Sequence, residues 1–371
     1  MEIFEIEDVD ELNQIIDYSK YSIVLASSSV LNYPKAQEII EKFSKKLIIT
    51  GLPSNPSWGF IRKKLTEIPN SKEQPQIISM GGGSIIDFAK ILHAAMLVGI
   101  TFVDFTKLRN PEQLQFLLDS SNIAISEIQH ICFPTTIGSG SEVTHFATVW
   151  TDDDLIKFSV SNKSLKPSIT ILYSKLIEDL PLDIKLFSTL DAISHSCESI
   201  TSLSRNKESI YFANTALNLI WPGVIKGYEL WGSSEFRSAQ KGSYFAGKAI
   251  DITKTGICHS MSYPLTKFSG VPHGLACAIS LNVLLKEYQD QVNLISAEDF
   301  FDGGVQLTLD RLNRFISQYN VTMRFREYVS SRKEFESYIP YMRNKQRSDN
   351  LHIKFSNQFV DKVIKEIYHE P

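Results

Sequence analysis

QIISMGGGSIIDFAK, spanning Gln76–Lys90, decides the fold. QIISM is a short apolar run, and Gly81, Gly82 and Gly83 follow it at once. From Ile85 the apolar positions take up helical spacing through IIDFAKILHAAML. A buried strand, a glycine turn and a helix in that order make one step of a doubly wound α/β sheet. Glycine lets the backbone turn sharply and lets a ligand come close. The helix N-terminus then offers N–H donors and a positive dipole end to an anion. The stretch therefore predicts a cradle for a dinucleotide pyrophosphate. It is not the GxGxxG fingerprint, and such turns also serve close helix–strand packing.

The same rhythm extends to both sides. SIVLA (22–26), KLIIT (46–50) and QHICF (129–133) read as buried parallel strands like QIISM, with helical stretches such as AQEIIEKF between them, and a last strand, SITIL, ends near Leu172. FATVW and IKFSVS, joined by TDDD, read as a hairpin. The strand QHICF leads into FPTTIGSGSEVTHF, whose Thr135, Thr136, Ser139 and Ser141 bring hydroxyls to a strand's carboxyl end, where open α/β sheets bind ligands. After Pro181 strand-like runs give way to helical ones such as YFANTALNLIWPGVI and LTLDRLNRFISQY. The expected organisation is an α/β dinucleotide-binding domain over residues 1–178 and an all-α domain over residues 179–371.

Composition narrows the function. The 371 residues suit about two domains at roughly 100–200 residues each. Hydrophobic residues are 43% and charged residues 22%, which excludes a disordered chain. A net charge of −4 gives no support to nucleic-acid binding, although a local basic pocket for a small anion is compatible with it. The acidic start MEIFEIEDVDEL is no secretory signal, and the longest apolar run, Ile91–Val103, is too short for a typical membrane span. Cys132, Cys197, Cys258 and Cys277 form no CxxC pair and read as small buried thiols of a cytoplasmic protein.

The helical half carries a metal constellation. In LDAISHSCES, Asp191 and His195 stand four apart and share a helix face. In GICHSMSYPLTKFSGVPHGLA, His259 and His273 are 14 apart. One continuous helix would separate them by about 21 Å, but Gly270 and Pro272 break it and let His273 return. Asp191, His195, His259 and His273 are the expected ligands, an N3O set that suits Fe2+ or Zn2+. Glu198, on the face of His195, reads as a group behind the ligands or as an ordinary surface carboxylate. His93 reads as structural, His145 is a weaker candidate for facing substrate, and His130, His352 and His369 stand in no motif.

Together, GGGSIID, FPTTIGSGSEVT, DAISHSCE and GICHSMSYPLTKFSGVPHG resemble the iron-containing, or group III, alcohol dehydrogenase family, over roughly residues 20–280. The resemblance implies the dehydroquinate-synthase-like fold, with NAD or NADP in an interdomain cleft beside a divalent metal on the same four ligands. It implies cofactor contacts at Gly82, Gly83, Ser84, Asp87, Thr135, Thr136, Ser141 and Lys157. It also implies a small aldehyde or primary alcohol as substrate and an assembly of two or more copies, with a homodimer as the candidate. TKTGICHSMSYPLT and THFATVW are similar to the phosphonoacetaldehyde reductase branch, which makes 2-hydroxyethylphosphonate. Lys254, Thr255 and Lys267 are the candidates for holding such an anion, equally readable as solvated helix residues.

Four departures from the family pattern matter. Tyr263 stands where many members place a second histidine, and a phenol is a poorer proton relay than an imidazole at neutral pH. Ser27, Ser28 and Ser29 replace the acidic residue that many members place against the adenosine ribose, so a 2′-phosphate and NADPH become acceptable. The chain also begins almost at SIVLA, without the family's usual N-terminal β-extension, and RNKQRSDNLHIKF follows the pattern too loosely to assign site residues in the last 90 or so positions. Competing expectations are a sugar-acid or polyol dehydrogenase of the same family, a sugar-phosphate cyclase or lyase that uses NAD transiently, and a degenerate binding module.

Overall fold

A computed structural model describes residues 1–69, 73–121, 128–152, 157–292 and 303–368. Part of the TDDD turn, Ile156 and His369 lie outside the described residues. The chain divides into two compact units, Met1–Leu180 and Pro181–Pro371.

The first unit is built on a six-stranded parallel sheet ordered β1-β8-β5-β4-β2-β3. Its strands are β1 (Glu2–Glu5), β2 (Ser22–Ala26), β3 (Lys46–Ile49), β4 (Gln76–Gly81), β5 (His130–Pro134) and β8 (Ile169–Leu172). β6 (Phe146–Trp150) and β7 (Lys157–Ser161) form a separate antiparallel hairpin. Helices α1 (Pro34–Glu41), α2 (Trp58–Leu65), α3 (Gly83–Leu97), α4 (Phe102–Phe105) and α5 (Pro111–Ser120) complete the unit. Alternation along the strands feeds two cores. Ile23, Leu25 and Ile77 pack in one, and Val24, Ala26, Ile78 and Met80 pack in the other. A sheet covered on both faces needs such unbroken apolar strands, which is why SIVLA and QIISM are legible.

β1 corrects the reading of the N-terminus. EIFE adds a strand beside β8, in register from Glu2 against Ile169 to Glu5 against Leu172. Only Phe4 of its four residues is less than exposed, and charged side chains on a short outer strand blunt a sheet edge. Its physics is that of an edge, which an apolar-run criterion passes over.

β2 has β3 on one side and β4 on the other, so the order reverses between β2 and β4. That reversal is the topological switch point of a doubly wound sheet. The carboxyl ends of β2, β4 and β5 carry Ser27–Ser29, the three glycines and the Thr135–Ser141 loop respectively, all on one edge of the sheet.

The second unit is helical among the described residues. Its helices are α6 (Leu182–Thr201), α7 (Lys207–Lys226), α8 (Ser233–Thr253), α9 (Ile257–Ser269), α10 (His273–Val292), α11 (Gly304–Gln318), α12 (Val321–Arg326), α13 (Arg332–Tyr338), α14 (Lys345–Ser348) and α15 (Asn357–Tyr368). α6 is buried almost all round, from Thr189 through Thr201. Its hydroxyls satisfy themselves: Ser194 donates to the Leu190 carbonyl at 2.8 Å, Ser196 to Ala192 at 2.9 Å and Thr201 to Cys197 at 3.0 Å. Buried Asp191, His195 and Glu198 must find partners off this helix, as Ser199 does by accepting from Thr253 Oγ1 at 3.1 Å.

Candidate functional site

The chain reversal expected at Gly270 is present. α9 stops at Ser269, Gly270 takes φ +67°, and α10 starts at His273. At Gly274, α10 meets α6 so closely that a Cβ would overlap the Phe187 carbonyl and stand 3.1 Å from Asp191 Cβ. This contact holds the start of α10 against the ligand face of α6.

The four expected ligands come together there. Asp191 Oδ1 lies 3.3 Å from His259 Nε2, 3.6 Å from His195 Nε2 and 3.9 Å from His273 Nε2. The His195 and His259 rings stack at 4.6 Å, and His273 stands edge-on to His259 at 5.2 Å. Asp191 and His259 are buried, yet neither Asp191 Oδ1 nor His259 Nε2 has a hydrogen-bond partner. Facing, buried and unsatisfied donor atoms ringed by imidazoles fit a divalent cation.

Glu198 sits behind this group. Its Oε2 bonds His259 Nδ1, and its Oε1 accepts from the Cys258 N–H at 2.6 Å. Fixing Nδ1 fixes the ring so that Nε2 faces Asp191. Burial pushes the Glu198 carboxyl up, but the His259 charge and hydrogen bond bring it below its ordinary value. Burial likewise opposes the Asp191 charge, and His195 and His273 more than reverse it. His259 is held well above the usual imidazole range: burial disfavours its charge, while Cys277, Glu198 and Asp191 favour it. The pocket is therefore arranged around positive charge.

Cys277 was not among the sequence-derived ligands. It lies four residues beyond His273 on α10, and its sulfur is within 4.8 Å of the donor atoms of Asp191, His259 and His273. The His-x3-Cys spacing was available in HGLAC but lay inside an apolar run. Tyr263 stacks near-parallel to His273, with ring centroids 6.5 Å apart. Lys254 caps the end of α8 with φ +60°, and its side chain is exposed. The neighbouring Thr255 is buried and accepts from Arg347 Nη1 at 2.6 Å. Arg347 had no local signature, since 92 residues separate the partners.

On the first unit the glycine turn packs against the hydroxyl-rich loop. A Cβ on Gly82 would stand 3.0 Å from Thr136 Cγ2, and one on Gly83 2.9 Å from Ser139 Cβ. The Thr135 N–H bonds the Gly81 carbonyl at 3.0 Å. No side chain caps the N-terminus of α3. Several expected cofactor contacts have internal partners. Ser84 Oγ accepts from the Asn55 N–H at 2.9 Å. Asp87 accepts from Ser141 Oγ and from the Thr148 N–H, which ties the β6–β7 hairpin to α3. Buried Lys90 donates to Ser141 at 3.0 Å and to Thr144 at 2.9 Å. Lys157 lies over the Trp150 ring at 5.8 Å. His130 bonds Ser79 at 2.8 Å, and burial lowers His93 to about 4, so both serve the interior. His145 stands edge-on to Phe146.

Comparison with known proteins agrees across the chain. The family model for iron-containing alcohol dehydrogenase matches residues 3–174, and the C-terminal model of the Fe-containing alcohol dehydrogenase family matches residues 185–368. The chain belongs to the iron-containing alcohol dehydrogenase family. Within this alcohol dehydrogenase family it is 30% identical over 210 residues to a phosphonoacetaldehyde reductase of Streptomyces viridochromogenes, covering 56% of this chain and 52% of that protein. It is 27% identical over 295 residues to the bifunctional aldehyde-alcohol dehydrogenase AdhE of Escherichia coli K12, covering 78% of this chain and 33% of that one. The chain thus spans about half and about a third of these relatives. The sulfoacetaldehyde reductase of Bifidobacterium kashiwanohense, solved with NAD+, shares the fold at a TM-score of 0.79 and 18% identity, over 100% of this chain and 98% of that one. The expected fold class, a parallel-sheet unit followed by a helical one, is that of the family. No described helix is long and apolar enough to cross a membrane.

Proposed function

We propose that this chain is a divalent-metal-dependent NAD(P)H oxidoreductase that interconverts a small anionic aldehyde and its primary alcohol, with phosphonoacetaldehyde and 2-hydroxyethylphosphonate as the pair. The observation that carries the reading is the meeting of three imidazole nitrogens at Asp191 Oδ1, at 3.3, 3.6 and 3.9 Å. When bound, Fe2+ or Zn2+ supplies Lewis-acid polarisation of a carbonyl, and the nicotinamide supplies the hydride.

The chain's own residues do the rest. Asp191, His195, His259 and His273 hold the cation, and Glu198 fixes the His259 ring through Nδ1. Gly82, Gly83 and the α3 N-terminus cradle the pyrophosphate, with Thr135 and Thr136 on the adjoining loop. Ser84, Asp87, Ser141 and Lys157 shape that edge from behind. Ser27–Ser29 place hydroxyls where a carboxylate would repel a 2′-phosphate, which favours NADP(H). Tyr263 carries at Oη the proton that completes the alcohol. Buried Thr255 and Arg347, with Lys254 beside them, supply the hydrogen-bond donors and positive charge that a phosphonate needs. The match to a phosphonoacetaldehyde reductase supports the same substrate class.

The test is His259→Ala, purified anaerobically with iron, with metal content and NAD(P)H consumption measured against neutral and anionic aldehydes. The wild-type chain should hold one ion and consume cofactor fastest with phosphonoacetaldehyde. The variant should lose the ion, and activity should fall on the order of a thousandfold as several kcal/mol of charge stabilisation goes with it. Full turnover by a metal-free variant overturns the reading.

A further inference from the structure

Cys277 lies where the metal-centre reading leaves it without a role. It follows His273 by one helical turn, so the two side chains share a face of α10. Its sulfur is 4.0 Å from His273 Nε2, and Asp191, His259, His273 and Cys277 all bring donor atoms within 4.8 Å of one another. The residue is fully buried and forms no disulfide. Two atoms of the same group, Asp191 Oδ1 and His259 Nε2, are buried without a hydrogen-bond partner. Those two orphans are an observation independent of the thiol, and they point to an ion at the place the sulfur flanks. The contact of α10 with α6 at Gly274 presses this turn toward Asp191, so the position of the sulfur follows from the packing that places His273.

We propose that Cys277 is a further ligand of the cation, giving this chain a mixed carboxylate, imidazole and thiolate centre that favours a zinc-like ion over Fe2+. The proposal rests on the metal-centre reading above. Coordination replaces the thiol proton, which passes to solvent, by a sulfur–metal bond; no electron changes hands. A thiolate is a softer donor than carboxylate or imidazole and raises the preference for Zn2+. His195 lies beside Asp191 at 3.6 Å but outside the group of four donors that stand within 4.8 Å of one another, in which the sulfur takes its place.

Cobalt substitution of the full chain separates the two levels. The wild-type Co2+ protein should show ligand-field bands in the visible and a sulfur-to-cobalt charge-transfer band in the near ultraviolet. Cys277→Ala should lose the near-ultraviolet band and keep the visible ones, and His259→Ala should lose both. Visible bands without a thiolate band in the wild type overturn the role of Cys277 and leave the metal centre standing. Failure of the wild type to take up cobalt overturns both. Cys277→Ser keeps the size and polarity of the side chain, so the same band is read from it if the alanine variant does not fold. In competition with equimolar Zn2+ and Fe2+, the bound zinc-to-iron ratio should fall about tenfold or more in Cys277→Ser. An unchanged ratio overturns the claim of selectivity.

Discussion

The glycine-turn edge of residues 1–180 and the histidine cluster of residues 181–371 use their polar side chains in opposite ways. At the glycine-turn edge, Ser84, Asp87, Lys90 and Ser141 bond to one another or to the backbone. In the cluster, the side chains point their donor atoms at one another and leave two of them unsatisfied. A pyrophosphate is recognised mainly by N–H groups at a helix end, so side chains there serve as scaffold. A cation is recognised by side-chain atoms, so the backbone serves as scaffold. Damage should follow the same division, with backbone changes felt at one site and side-chain changes at the other.

Gly274 puts that division under the greatest strain, because there a backbone approach sets the side-chain site. Gly274→Ala would drive a methyl group into the Phe187 carbonyl and toward Asp191. Relief requires α10 to move off α6, carrying His273 and Cys277 with it. Expected outcomes are loss of stoichiometric metal and a stability decrease of about 3 kcal/mol, read by metal analysis and denaturant titration. Retention of the ion at wild-type affinity would show that the α6–α10 contact does not set the cluster.

Glu142 tests the other half of the comparison. It follows Ser141 in the nucleotide unit and is buried, but its Oε2 has no hydrogen-bond partner, unlike the groups around it. Burial raises its carboxyl from an ordinary 4.5 to about 7, with a hydrogen bond to its own backbone and then the Lys90 charge pulling the other way. A folded-state value above the unfolded one contributes stability that is complete below about pH 4.5 and is lost as the pH rises through about 7. Glu142→Gln removes the charge that must be buried. The variant should match wild type near pH 4.5 and exceed it by about 3 kcal/mol near pH 8, in paired denaturant titrations. Equal stability at both pH values would mean that Glu142 has found a partner and belongs with its satisfied neighbours.

How far the sequence could be read follows the same physics. Strands buried on both faces are apolar runs, so β2 and β4 could be placed from SIVLA and QIISM. β1 escaped because EIFE is polar, as an outer strand should be. The candidate ligands on α6 and α9 could be picked out because helical spacing and a glycine–proline break are local signals. Glu198 could be placed on the right face, but its bond to His259 spans 61 residues and needed coordinates. Cys277 was masked by its apolar neighbours. The pairing of Arg347 with Thr255 joins a weakly patterned tail to a helix end, and no spacing rule covers it.

Lys254 carries the smallest expected effect and the finest test, because there backbone and side-chain roles meet in one residue. Its φ of +60° with ψ −176° is a conformation that glycine alone adopts without strain. The position is nevertheless defined by its surroundings: the Lys254 N–H bonds the Ile250 carbonyl at 2.7 Å, and Asn350 donates to the carbonyls of Thr253 and Thr255 on either side. Lys254→Gly should stabilise the chain by about 1 kcal/mol, after the greater freedom of glycine in the unfolded chain is counted. Lys254→Ala keeps the strain and should leave stability unchanged within about 0.5 kcal/mol. If the side chain grips an anionic substrate, both variants raise KM for phosphonoacetaldehyde alike and leave turnover of a neutral aldehyde untouched. Stabilisation by glycine without a change in KM would assign Lys254 to shaping the turn before α9, and would leave Arg347 and Thr255 to hold the anion.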